Sequence, residues 1–220
     1  MRRGVAALCA LLCVAGASFG QVEGGDAAPD PLVLQRRLAL VLRQVSQLYE
    51  AGDYRGAIRR LDDLQGGAAQ DLSARNLRGA ILTKLGDYNQ AQQVFQAILS
   101  ADPSYFPAAF NMAEVQYMQG DYASAMSAFT ELRNRDPRNE LVRFKVFLCH
   151  LLLGQTDEAR GIAAGFIPAG STPAWYYAQA MIAKKNGDGR AADKHIKAAR
   201  EIYGSGGCKL FDESLVFARF

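Results

Sequence analysis

Cysteine is scarce in this chain: of 220 residues four are cysteines, and two of those, Cys9 and Cys13, fall within the first twenty. The remaining pair, Cys149 and Cys208, is too small for a disulfide-built scaffold and has no metal-ligand spacing, and the sequence leaves open whether the two join. No segment alternates apolar and polar residues as a half-buried strand does. No apolar run reaches the roughly 20 residues needed to cross a bilayer. Neither sign of charge dominates, with 25 Lys and Arg against 22 Asp and Glu, so there is no electrostatic pull toward nucleic acid or a membrane surface. Catalytic constellations are missing as well. No Ser, His and Asp arrangement has recognisable context, and the paired Asp62 and Asp63 read as a solvated helix face. His150 follows Cys149 in an apolar stretch without a second ligand pair, which fits core packing better than a metal. Residues 204–207 are glycine-rich but follow helical sequence rather than a strand, the wrong order for cradling phosphate. The expectation is a protein that is not an enzyme and carries no cofactor.

What the chain does contain is a repeated signature. Gly52, Asp53, Tyr54 and Ala57 recur as Gly86, Asp87, Tyr88 and Ala91, and again as Gly120, Asp121, Tyr122 and Ala125, a fixed period of 34 residues. A degraded copy has Gly154 and Ala159, and a last one Gly187, Asp188 and Ala192. Such a register marks an array of one supersecondary unit. In the second unit the first helix is expected over Leu72 to Leu85, ended by Gly86 because glycine tolerates the left-handed backbone of a helix C-terminus. Asp87 can then accept from the free amides of the next helix. That helix places Ala91, Phe95, Ile98 and Leu99 on one face and stops at Asp102 and Pro103. The recurring alanine lets two antiparallel helices approach closely, and a larger side chain would overpack the contact. Facing slots seven residues before each glycine hold Val45, Gly79, Ala113, Phe147 and Ala180, small in three of five cases.

The ends differ from the array. Arg2 and Arg3 precede an apolar stretch from Val5 to Ala15, followed by small residues, so residues 1–20 read as an export signal removed on maturation. Residues 21–31 read as a disordered leader, 32–204 as the repeat array and 205–220 as a tail. Export places the protein in the periplasm or cell envelope of a bacterium, or otherwise outside the cell. The tail carries Leu210, Phe211, Leu215, Val216, Phe217 and Phe220. It is too apolar to float free and is expected to fold back as a cap, with partner docking as its rival role.

These repeats resemble the tetratricopeptide repeat family, most closely in Ala109, Phe110, Asn111, Met112 and Ala113 followed by Gly120, Asp121, Tyr122, Ala125, Phe129 and Pro137. The resemblance implies an all-α, right-handed α-solenoid of about five helix-turn-helix units with a capping segment. The fourth unit departs from the pattern, with Gln155 and Thr156 after Gly154, and with Gly161 and Gly165 in its second helix. Each such glycine costs about 1 kcal/mol relative to alanine, so that helix is expected to be the least secure.

By the same resemblance, first-helix residues away from the second helix line a concave groove. These are Leu42, Ser46, Tyr49 and Glu50 in the first unit and Asn76, Ala80, Thr83 and Lys84 in the second. The later units turn aromatic and aliphatic, with Phe110, Glu114 and Tyr117, then Phe144, Leu148 and Leu151, then Tyr177, Met181 and Lys184. Those nine are the candidate partner-binding residues, suited to an amphipathic helix or extended apolar segment of another protein. Two alternatives stand beside this. Part of the set packs against the next unit, or the tail from Leu210 fills the groove in cis. A lysine and asparagine clamp for acidic C-termini is incomplete: Asn76, Asn111 and Lys145 occupy its slots, but Ala80 and Leu141 fill the others. Lys184, Lys185, Arg190, Lys194, Lys197 and Arg200 make the last unit basic, with Lys197 and Glu201 placed to pair one turn apart. The expected function is a non-catalytic adaptor or scaffold that binds a peptide or helical segment during envelope assembly or secretion. A small-ligand or carbohydrate-handling factor using the Tyr117 and Tyr177 hydroxyls, and a structural spacer, are the alternatives.

Overall fold

The computed structural model describes residues 30–218. Residues 1–20, expected as an export signal, residues 21–29 of the expected leader, and the last two residues lie outside the described residues. Local signals visible in the chain start several of the helices. Helix α1 (Pro31–Glu50) starts where Asp30 accepts from the Leu32 amide and proline takes the first helical position. There the missing N–H is no loss. It therefore begins at Pro31, inside the stretch expected as leader. After it come α2 (Tyr54–Asp62), a 3-10 turn (Gly66–Gln70), α3 (Leu72–Leu85), α4 (Tyr88–Ala101), α5 (Phe106–Met118), α6 (Tyr122–Arg135), α7 (Glu140–Leu152), α8 (Thr156–Ala163), α9 (Ala174–Lys185) and α10 (Gly189–Val216). No strand occurs among the described residues. The fold is all-helical, an array of helix-turn-helix units of the tetratricopeptide kind.

The punctuation is uniform. Gly52, Gly86, Gly120, Gly154 and Gly187 all hold φ between 78° and 86°, the left-handed region that a side chain resists. Asp53, Asp121 and Asp188 accept from the amides of Gly56, Ser124 and Ala191 at 2.8 to 3.1 Å. Asp87 corrects the expectation for its own unit: it occupies the N-cap position of α4, but its side chain makes no capping bond.

The chain divides into two compact units, residues 30–108 and 109–218. In the first, α1 packs on α2, α2 on α3 and α3 on α4. Ala57 and Ala91 are fully buried. Gly79 leaves no room for a side chain, since a Cβ there would run into the Phe95 ring. In the second unit α6 packs on α7, α7 on α8 and α9, and α9 on α10. Ala125, Ala159 and Ala192 are buried in the same way. Helix α8 is the shortest, eight residues against 14 for α4 and α6. It ends at Ala163, so Gly161 lies inside it but Gly165, expected within the same helix, falls in the turn after it.

Helix α10 is not straight. Gly204 interrupts it at φ 68° and ψ 170°, a backbone region open essentially to glycine alone. Residues 189–203 form the second helix of the last repeat. Past the kink, residues 205–216 form a helical arm that turns back and packs on α7 as well as on α9. The tail does fold back, but along the first-helix face of its unit rather than only over the end of the last repeat.

Candidate functional site

The first helices of residues 109–218 present aromatic side chains spaced for one common face, and the arm lies on it. Phe211 is the anchor: its ring centroid is 5.0 Å from that of Phe144 and 5.4 Å from that of Tyr177. Phe144 and Tyr177 themselves meet edge-to-face at 6.3 Å. Aromatic clusters of this kind add stabilisation beyond the area they bury. Polar bonds fix the register. Tyr177 Oη donates to Asp212 Oδ1 at 2.6 Å, and Arg200 Nη2 donates to the same oxygen at 2.9 Å. Tyr117 Oη donates to the Ser214 carbonyl at 3.1 Å, and Tyr122 Oη to the Phe217 carbonyl at 3.4 Å.

Burial has the expected consequence for acidity. Removal from water pushes the Tyr117 hydroxyl well above its usual range. It also raises Tyr177, with the Asp212 bond adding to the effect, because the charged form loses hydration. Both hydroxyls therefore serve as donors to the arm. Behind them Lys145 Nζ lies 2.7 Å from Glu114 Oε1 and 5.0 Å from the Tyr117 ring centroid. Both members of this pair are nearly inaccessible to water.

Of the nine residues expected to line the groove, Phe110, Glu114, Tyr117, Phe144, Leu148, Leu151, Tyr177 and Met181 are buried, and Lys184 is exposed. Tyr117, Phe144 and Tyr177 are brought together under the arm. Phe110 is not with them; its ring meets Phe129 of α6 edge-on at 5.6 Å. Glu114 holds Lys145 rather than facing outward. That pairing also removes Lys145 from any clamp, and Asn76 and Asn111 are buried too. Of the two alternatives, the tail from Leu210 occupies this face in cis, with Phe211 as its anchor; the roles of Asp212 as acceptor and Arg200 as its second partner were not read from the sequence. The spacing Cys208, Phe211 and Leu215, one turn apart each time, was the available signal for a helical stripe.

The structure also gives the surroundings of other residues singled out in the sequence. Lys197 and Glu201 pair at 3.8 Å on an open surface. Cys149 and Cys208 are free, buried thiols, and burial pushes Cys149 up to about 12. His150 bonds Gln155 through Nδ1 at 2.6 Å. Among the described residues no three His, Cys, Asp or Glu side chains gather as a metal site, and no helix is long and apolar enough to cross a membrane.

Comparison with known proteins gives one consistent result. Profiles described as tetratricopeptide repeat match residues 42–106, 82–145 and 116–182. A thermophilic tetratricopeptide repeat protein of Thermus thermophilus superposes with a TM-score of 0.64 at 22% identity, over 82% of this chain and 97% of that one. A tetratricopeptide repeat protein of Parabacteroides merdae gives 0.64 at 18%, over 81% and 71%. The protein MamA gives 0.52 at 21%, over 76% and 98%. Among curated proteins, human Superkiller complex protein 3 is 33% identical over 82 residues, which is 37% of this chain. The chain spans about 5% of that relative's length.

Proposed function

The chain belongs to the tetratricopeptide repeat family, and from that premise we propose that it is a non-catalytic scaffold that takes a helical segment of a partner protein onto the first-helix face of residues 109–218. One observation carries this reading. That face already holds a helix, residues 205–216, through an aromatic anchor and side-chain bonds to its carboxylate and carbonyls. Helix-in-groove recognition uses the same elements. The setting we propose is the bacterial cell envelope, in assembly or secretion, on the strength of the amino-terminal sequence. The small-ligand reading loses its motive, since the Tyr117 and Tyr177 hydroxyls are engaged by the arm.

The test is photo-crosslinking in envelope preparations with a reactive residue in place of exposed Lys184, on the first-helix side, or exposed Glu131, on a second helix. Adducts with a protein from position 184 but not 131 are expected. Equal adducts from both positions, or none from 184, would overturn the assignment of the face.

A further inference from the structure

The arm is tethered next to the face it covers, and its tether is a single backbone kink. Gly204 takes φ 68° and ψ 170°, and a Cβ built there meets nothing within 4 Å. The kink is therefore demanding of backbone conformation alone and not of space. Opening it would swing residues 205–216 away and uncover Phe144 on α7 and Tyr177 on α9. What the arm leaves behind is a defined set of sockets: an aromatic one between Phe144 and Tyr177, a carboxylate one at Tyr177 Oη and Arg200, and a carbonyl donor at Tyr117.

We propose that the arm is a built-in competitor, and that the partner which displaces it is an amphipathic helix carrying an aromatic residue followed directly by an acidic one, as Phe211 and Asp212 do. This rests on the scaffold reading and names the chemistry of its ligand. The charge match is specific: Arg200 and the Tyr177 hydroxyl both donate to one carboxylate oxygen, so a basic residue at that place leaves donors unpaired, and an amide keeps the acceptor but loses the charge that pairs with Arg200. The aromatic socket sets the neighbouring position. Tethering through the one kink at Gly204 gives the arm an effective concentration of about a millimolar or more. With arm contacts worth an intrinsic Kd of about 1 µM, a free helix is held off roughly a thousandfold while the arm is closed. Ordinary exposure of the protein to weak apolar helices leaves it shut.

Cys208 sits on the arm and Cys149 on α7, both buried, so they report arm opening and core opening separately. The experiment uses the full chain under reducing conditions, with thiol alkylation followed peptide by peptide in a mass spectrometer. The binding probe is a fluorescent peptide of residues 205–218. In wild type, Cys208 is expected to label faster than Cys149, and the peptide to bind weakly or not at all. Gly204→Ala strains the closed kink without touching a socket and is expected to speed Cys208 labelling about tenfold or more while leaving Cys149 unchanged. The same variant should bind the peptide at least tenfold more tightly than wild type. Phe211→Ala with Asp212→Ala in the arm should do so further, and a peptide carrying those two substitutions should not bind.

Two results would overturn the proposal. Cys208 and Cys149 could label in step in every variant, which makes the arm inseparable from the core. Or Cys208 could be freed while the peptide still fails to bind. Peptide binding without any protein adduct from position 184 would instead remove the scaffold reading and leave the competitor intact.

Discussion

The second and fourth repeats have the same plan and different sources of stability. In the second, α3 buries Ala74, Asn76, Leu77, Gly79, Ala80, Ile81 and Thr83, mostly small or polar, and α4 runs a full 14 residues. In the fourth, α7 buries Val142, Phe144, Lys145, Val146, Phe147, Leu148, Cys149 and Leu151, while α8 has eight residues. A weak second helix is tolerated where the first helix is packed from several sides: α6, α8, α9 and the arm of α10 all rest on α7. A repeat can thus lose its local signals and survive on its neighbours, which is how stability is shared in a stack.

The largest way to break this contrast is to attack the centre of the fourth repeat. Lys145→Met leaves Glu114 as an uncompensated buried charge and is expected to lose about 3–5 kcal/mol in urea unfolding. Adding Glu114→Leu should recover most of it. A loss below about 1 kcal/mol for the single variant would mean that α7 is less enclosed than its burial indicates.

A sharper comparison applies one substitution to both repeats. Gly79→Ala drives a methyl into the Phe95 ring and should destabilise by about 1–3 kcal/mol. Gly161→Ala in α8 meets nothing within 4 Å and should stabilise by up to about 1 kcal/mol through helix propensity. Opposite signs in paired thermal melts would separate close packing from backbone preference; equal signs would remove the distinction.

The smallest effect concerns the cap. Gln155 stands where other repeats have aspartate and makes no capping bond. Gln155→Asp should install one, slowing amide exchange at the start of α8 by an amount equal to roughly 0.5–1 kcal/mol. The loss of its bond to His150 works against that gain. No slowing at all would show that α8 is limited by Gly161 rather than by its start.

Much of the array was legible in the chain. Helix α3 spans Leu72–Leu85 as its glycine and apolar spacing required, the marker glycines are all left-handed, and the alanine slots are all buried. These are local rules, set by backbone sterics and by what fits between two touching helices, so the residues themselves carry them. The candidate site was legible only as a set of first-helix positions. Periodicity says that Phe144 and Tyr177 face away from their second helices, but it is silent on what covers them. That was decided by the turn at Gly204, which returns Phe211 and Asp212 to partners 67 and 35 positions earlier in the chain. Contacts at such separation leave no repeating trace in a sequence. The 34-residue period by itself determined the units and their punctuation, and only the tertiary structure decided that one aromatic face would be closed by the chain's own tail.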